Sequence, residues 1–315
     1  MNVFKLVILL ATLPLLFALP YFFFYTKNPE STAYDKHSLD SLKKMPAISS
    51  ALKKEEEENK ILLSEHRFER KNFSQNDQNT KILNSIDYFF FSPPKPWPEN
   101  LKFPLIVHLN DHNDLAYSAE YISQDNMTFH FPAFSIVPQT NQLYAHLNID
   151  ERMKKTNNPF NATVNDNKTV KSVVNFKTFR EHTKKILPPL TALVDNVKEK
   201  YPIDEKRIYL IGCGFGAATL FHLVEKHPDR FASLVALSGT WQAENYNKFK
   251  STPILTLNGK INAMFLNISG ETFTANVKKI GGKAIYKGFE SMPHTCSHKD
   301  FYASNVWKWM FAQKR

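Results

Sequence analysis

Three glycines at alternate positions, Gly212, Gly214 and Gly216, stand between two apolar runs and limit what this chain can build. Before them, Ile208 to Ile211 is a short run rich in apolar, β-branched residues. Such a run fits a central parallel strand covered on both faces. After them comes a helical stretch that Pro228 closes, and Phe231 to Leu237 returns as a second apolar strand. Glycine has no Cβ, so the backbone can turn sharply from strand into helix and the helix can lie close against the strand. A strand, a tight turn, a helix and a parallel strand make one unit of an α/β fold.

The wording around this turn is specific. Ile203-Asp204, Arg207-Ile208-Tyr209, Gly212, Gly216 and Pro228-Asp229-Arg230-Phe231-Ala232 follow one another in fixed spacing. The pattern resembles the nucleophile elbow of the α/β hydrolases, Gly-x-Ser-x-Gly between strand and helix. It is most similar to the branch of serine esterases and predicted peptidases related to polyhydroxybutyrate depolymerases and feruloyl esterases. The resemblance covers about residues 86–311 and implies an α/β-hydrolase fold, a mostly parallel sheet with helices on both faces. One position departs from it. Where the family carries its nucleophilic serine, this chain has Gly214, and a hydrogen cannot attack a carbonyl. A phosphate-binding glycine loop is the other reading, but no lysine follows as a P-loop requires.

The same resemblance assigns the other functional positions. Phe103 to Leu109 is a buried strand, and the loop after it lends a backbone amide to the oxyanion hole. The family pair His-Gly is here Asn110-Asp111, which sets a negative charge beside a site that must stabilise one. The second amide of the hole belongs to Phe215, directly after the elbow position. Pro253 to Leu257 is the next buried strand, and counting from Gly259 the acid position falls on Asn262, with Ala263 as the alternative. An amide can hold an imidazole but cannot stabilise imidazolium by charge. His294 occupies the base position after the strand Ala284 to Tyr286, and Glu290 in the same loop is a candidate substitute acid. Nucleophile, acid and oxyanion loop are all altered, and the three changes share one explanation if serine hydrolysis is not used.

Other chemistry has candidates. Cys213 precedes the elbow position on the opposite side of the strand, where it reads as a small packed apolar residue. A disulfide from Cys213 to Cys296 across the former site is the alternative, if the domain is extracytoplasmic. Ser238 reads as structural. His108, Asp111, His112, Asp114, His294 and His298 are plausible metal-ligand types, yet no helical ligand spacing supports a metal, and neither metal nor cofactor is expected.

The domain is preceded by two segments. Leu6 to Tyr25 is apolar, flanked by Lys5 and Lys27, and long enough for a membrane helix of about 20 residues. Its length and the run Pro20-Tyr21-Phe22-Phe23-Phe24 favour an uncleaved anchor over a signal peptide. Residues 1–27 are therefore expected to contact the membrane, 28–80 to form a polar helical stalk and linker, and 81–315 to form the hydrolase-like domain. An Asn-rich insertion near 141–174 would cover the site. Phe176 to Lys200 carries apolar residues at helical spacing and leads into the elbow strand.

A net charge of +10 accompanies no nucleic-acid motif and fits solubility or lipid headgroups instead. Asn-x-Ser/Thr triplets begin at Asn72, Asn126, Asn161, Asn167 and Asn267, and by themselves argue only weakly for glycosylation in so Asn-rich a chain. The expected protein is a membrane-tethered, catalytically degenerate hydrolase binding a small acyl or ester-like ligand or a protein partner. The alternative is an active esterase or peptidase with a displaced nucleophile and His294 as base.

Overall fold

The computed structural model describes residues 67–74, 85–110, 116–139, 176–260, 270–290, 292 and 295–315. The expected membrane span, most of the stalk and the insertion near 141–174 lie outside these residues. No helix among the described residues is long and apolar enough to cross a membrane.

The strands are β1 (Glu69–Ser74), β2 (Ser85–Phe91), β3 (Phe103–Leu109), β4 (Phe134–Pro138), β5 (Ile203–Cys213), β6 (Ser233–Leu237), β7 (Ile254–Gly259) and β8 (Ala284–Phe289). The described strands form a single sheet in the order β1-β2-β4-β3-β5-β6-β7-β8. Pairing is parallel from β4 to β8 and antiparallel where β2 meets β4 and β1. The chain runs outward from β3 to β4, then returns to place β5 on the other side of β3. Sheets of this kind bind ligands outside the carboxyl ends of the strands at such a reversal.

Helices cover both faces. α3 (Phe176–Lys200), α4 (Phe215–Lys226) and α5 (Gly270–Lys279) lie on one side. α1 (Tyr117–Ile122), α2 (Asp125–His130) and α6 (Ser304–Phe311) lie on the other. The alternation along β5 shows how one strand serves both layers. Ile208 and Leu210 join the α3/α4 core, while Tyr209, Ile211 and Cys213 join the α6 core. On α3, Phe179, Ile186, Leu190, Leu193, Val194 and Val197 are all buried, as their spacing requires.

One boundary differs from expectation. The sheet does not begin after Lys81: β1 lies within the segment read as stalk and linker and pairs with β2 from Glu69↔Phe90 to Ser74↔Ser85. Its sequence, Glu-Arg-Lys-Asn-Phe-Ser, shows no apolar alternation because an edge strand buries little. What holds it is tertiary. The Lys71 ammonium lies 4.1 Å from the Phe90 ring centre and donates to the Tyr201 hydroxyl at 2.8 Å. The short helices α1, α2 and α5 were not anticipated, and β6 starts at Ser233 instead of Phe231.

Two histidines are buried as neutral groups. His108, on β3, has its Nδ1 2.7 Å from the Ser118 hydroxyl on α1. His222, on α4, has its Nδ1 2.5 Å from the Thr183 hydroxyl and stacks on Trp241. Burial is the main cause that pushes each down to about 3, with Lys226, Arg180 and Lys184 adding to the effect at His222. A histidine whose folded pKa is depressed stabilises the fold fully above its unfolded pKa and loses that contribution as pH falls towards the folded value. For His108, going from pH 7 to pH 5 is expected to cost about 2 kcal/mol. Denaturant midpoints at the two pH values check this, and His108→Gln should remove that share of the difference while the share from His222 remains.

Candidate functional site

Everything at the carboxyl edge of the sheet is arranged around the turn from β5 into α4. Gly214 sits at its apex with φ 55° and ψ −118°. A side chain is strained in this region of backbone space, whereas glycine adopts it freely. The Gly214 amide donates to Leu237 O at 3.0 Å, and its carbonyl accepts from the Ala218 amide at 3.1 Å. The turn from β5 into α4 is therefore sharp, and its apex carries no side chain.

The flanking glycines are there for close approach. A Cβ on Gly216 would stand 2.2 Å from Leu109 O and 2.9 Å from the Asn110 amide nitrogen. A Cβ on Gly212 would lie 2.9 Å from the Ala217 amide nitrogen. The first turn of α4 is thus wedged against the end of β3, beside the loop read as the oxyanion loop. Asn110 is buried there, and Phe215 is half-buried with its ring stacked on Phe179 at 5.6 Å. Asp111, Asn262 and His294 lie outside the described residues. Of the binding positions expected from sequence, the fold brings Asn110 and Phe215 together at one end of β3 and α4.

The histidine loop is fastened to the elbow. Cys213 and Cys296 form a disulfide with Cα atoms 5.8 Å apart and a sequence separation of 83. The reading of Cys213 as a packed thiol is thereby corrected: its side of the pleat faces the loop after β8, which a local pattern cannot reveal. Ser238, at the end of β6, donates from its hydroxyl to Thr295 O at 2.7 Å and accepts from the Thr295 amide at 3.4 Å. It holds a φ of 48°, rare for a residue with a side chain. Tyr302 donates to Cys296 O. Thr295 and Cys296, the two residues after His294, are therefore tied to β5, β6 and the short 3₁₀ helix Lys299–Tyr302. Burial raises the Tyr302 phenol well above its ordinary range, with the nearby Tyr117 and Glu120 adding to the effect.

Other candidates are accounted for. Glu290 pairs with Lys260 at the surface. His108 is committed to Ser118, and the His298 ring accepts from the Asp300 amide at 3.3 Å and lies near Phe289 and Phe301. Among the described residues no group of three or more His, Cys, Asp or Glu could hold a metal ion. Sequence reasoning passed over Thr295 and Tyr302, whose roles rest on backbone contacts. The region behind the elbow helix is fixed by a buried network that it also missed. The Glu225 carboxylate accepts from Trp241 Nε1 at 2.9 Å and from the Glu244 and Asn245 amides at 2.7 and 3.0 Å, with Arg180 at 3.9 Å.

The staple is expected to contribute strongly to stability, because closing a loop of this length restricts the unfolded chain. Cys296→Ser should lower the unfolding free energy by up to about 4 kcal/mol. Hydrogen exchange should rise first at the amides of residues 295–298, which mass spectrometry of the oxidised and substituted chains can read.

The comparisons agree with this geometry. A family model described as phospholipase/carboxylesterase matches residues 168–304, which include the elbow, β6 to β8 and the stapled loop. Among curated proteins, none matches the sequence. Among solved structures, a thermostable esterase superposes with a TM-score of 0.60 at 19% identity, over 80% of this chain. This chain spans 64% of that esterase's length. An S-formylglutathione hydrolase, FrmB, from Staphylococcus aureus superposes with a TM-score of 0.51 at 12% identity, over 78% of this chain and 96% of that one. FphF, a fluorophosphonate-binding serine hydrolase of the same species, gives 0.51 at 11% identity over 78% and 98%. With the strand order, the crossover and the sharp bend after β5, these similarities give the chain an α/β-hydrolase fold.

Proposed function

We propose that this protein is a membrane-tethered hydrolase-like binding protein that does not carry out serine hydrolysis. The observation that supports this most is the glycine at the apex of an otherwise intact elbow. The bend, the close-packed first turn of α4 and the tied residues after β8 occur together at one edge of the sheet. What it lacks is the group that would form a covalent acyl intermediate. Triad removal leaves only the residual acceleration of the oxyanion hole and binding. Asp111 in place of glycine weakens the hole as well.

The displaced-nucleophile alternative has few groups to draw on. Cys213 is consumed in the disulfide, and a disulfide sulfur is not an acyl acceptor. The Ser238 hydroxyl is engaged by Thr295 and sits at the end of the neighbouring strand. The ligand class most compatible with the fold is a small ester or acyl-like molecule, or a peptide end, held without turnover. The tether is the apolar run Leu6 to Tyr25. The Cys213–Cys296 bond favours an extracytoplasmic domain, because disulfides persist in oxidising compartments.

The purified full chain is expected to remain unlabelled by a fluorophosphonate probe and to leave short-chain p-nitrophenyl esters uncleaved. Labelling of the wild-type chain at any side chain would refute the proposal. Gly214→Ser restores a hydroxyl at the apex, and labelling of that variant is expected, with turnover still limited by Asn262 and Asp111. The side chain at φ 55° should cost roughly 1–3 kcal/mol of stability, read from the thermal midpoint.

A further inference from the structure

We infer that Asn72 carries an N-linked glycan that stands over the open edge of the sheet. The inference rests on the extracytoplasmic reading above and goes beyond it to a modification site. The triplet Asn72-Phe73-Ser74 has the required form, and the fold gives it a context that a chance triplet need not have. It lies in β1, the last strand on its side of the sheet among the described residues. Asn72 and Ser74 are exposed on one side of the strand, while Phe73 is half-buried on the other. An edge strand offers unpaired backbone groups to other chains, and a bulky hydrophilic substituent there blocks such pairing.

The local geometry accommodates the sugar. The Asn72 side-chain amide donates to Asp87 Oδ1 at 2.6 Å, across the strand pair Asn72↔Asp87. The Ser74 hydroxyl donates to Asn72 Oδ1 at 2.8 Å. Glycosylation forms a bond from Asn72 Nδ2 to the anomeric carbon of an oligosaccharide and breaks that carbon's bond to a polyprenyl pyrophosphate. The pyrophosphate lipid leaves, and the amide loses one proton. One N–H remains on Nδ2, so the bond to Asp87 can be kept in the modified protein. Asn126 is a less suitable acceptor. It lies in α2, its Oδ1 takes the Met127 amide at 2.8 Å, and the triplet's third residue, Thr128, is buried with its hydroxyl donating to Ile122 O at 3.2 Å.

The test expresses the full chain in a eukaryotic cell with a working secretory route. Treatment with peptide-N-glycosidase should increase its gel mobility. Asn72→Gln and Ser74→Ala should each lose one glycan's worth of that shift, and Ser74→Thr should keep it. Mass spectrometry after enzymatic release should find aspartate at position 72. If Asn72→Gln and Ser74→Ala migrate with the wild type before and after treatment, the inference is overturned. A thiol-alkylating reagent applied without reduction separates the two ideas. Protected cysteines with no glycan at Asn72 overturn the glycan alone, whereas reactive cysteines with no glycan overturn the extracytoplasmic reading as well.

Discussion

The close seating of α4 against the ends of β3 and β5 is the contact on which the rest of this domain depends. Gly216 lets the first turn of α4 come within van der Waals contact of Leu109 and Asn110, and Gly212 lets Ala217 approach the strand. Any larger side chain at Gly216 would push helix and sheet apart. That seating fixes the direction of α4, and α4 in turn carries the Leu220, Phe221 and Val224 that fill the core beneath α3. It also brings the start of α4 to Asn110, directly after β3. One steric requirement therefore serves both the core and the site.

The turn after β5 combines a sharp bend with a residue that has no side chain. In a serine hydrolase the apex residue bears a side chain in a backbone region that disfavours one, and the surrounding structure must hold it there. Gly214 occupies the same bend without that cost. The bend persists because it is set by its neighbours, through the bonds to Leu237 and Ala218, and not by the residue at its apex. The loop after β8 gains a covalent tie at the same place. Cys213–Cys296 and the Ser238–Thr295 contacts hold Thr295 and Cys296 against the ends of β5 and β6.

The edge of the sheet and the elbow sit at different places in the order of strands, and each manages a different hazard. At the elbow the chain needs tight packing. At β1 it needs to avoid pairing with other chains, and the charged sequence of the strand together with an outward Asn72 meets that need. Lys71 closes the gap between the edge and the interior by resting on Phe90 and Tyr201.

Sequence by itself determined the parts of this protein that are written in local pattern. The run Ile208 to Ile211 between glycines and the apolar spacing of Phe176 to Lys200 prescribed a buried strand and a helix, because burial on both faces and burial along a stripe leave different periodicities. The fixed spacing of Gly212, Gly214 and Gly216 marked the sharp turn from β5 into α4. Tertiary structure alone decided the rest. Edge strand β1 leaves no apolar alternation, so only its pairing with β2 makes it part of the domain. The short helices α1 and α2 bury few residues each and depend on what they pack against. The partnership of Cys213 with Cys296 and of Ser238 with Thr295 spans 83 and 57 residues of chain. Contacts at such separations are set by how strand ends meet at one edge of the sheet, and no local spacing encodes that meeting.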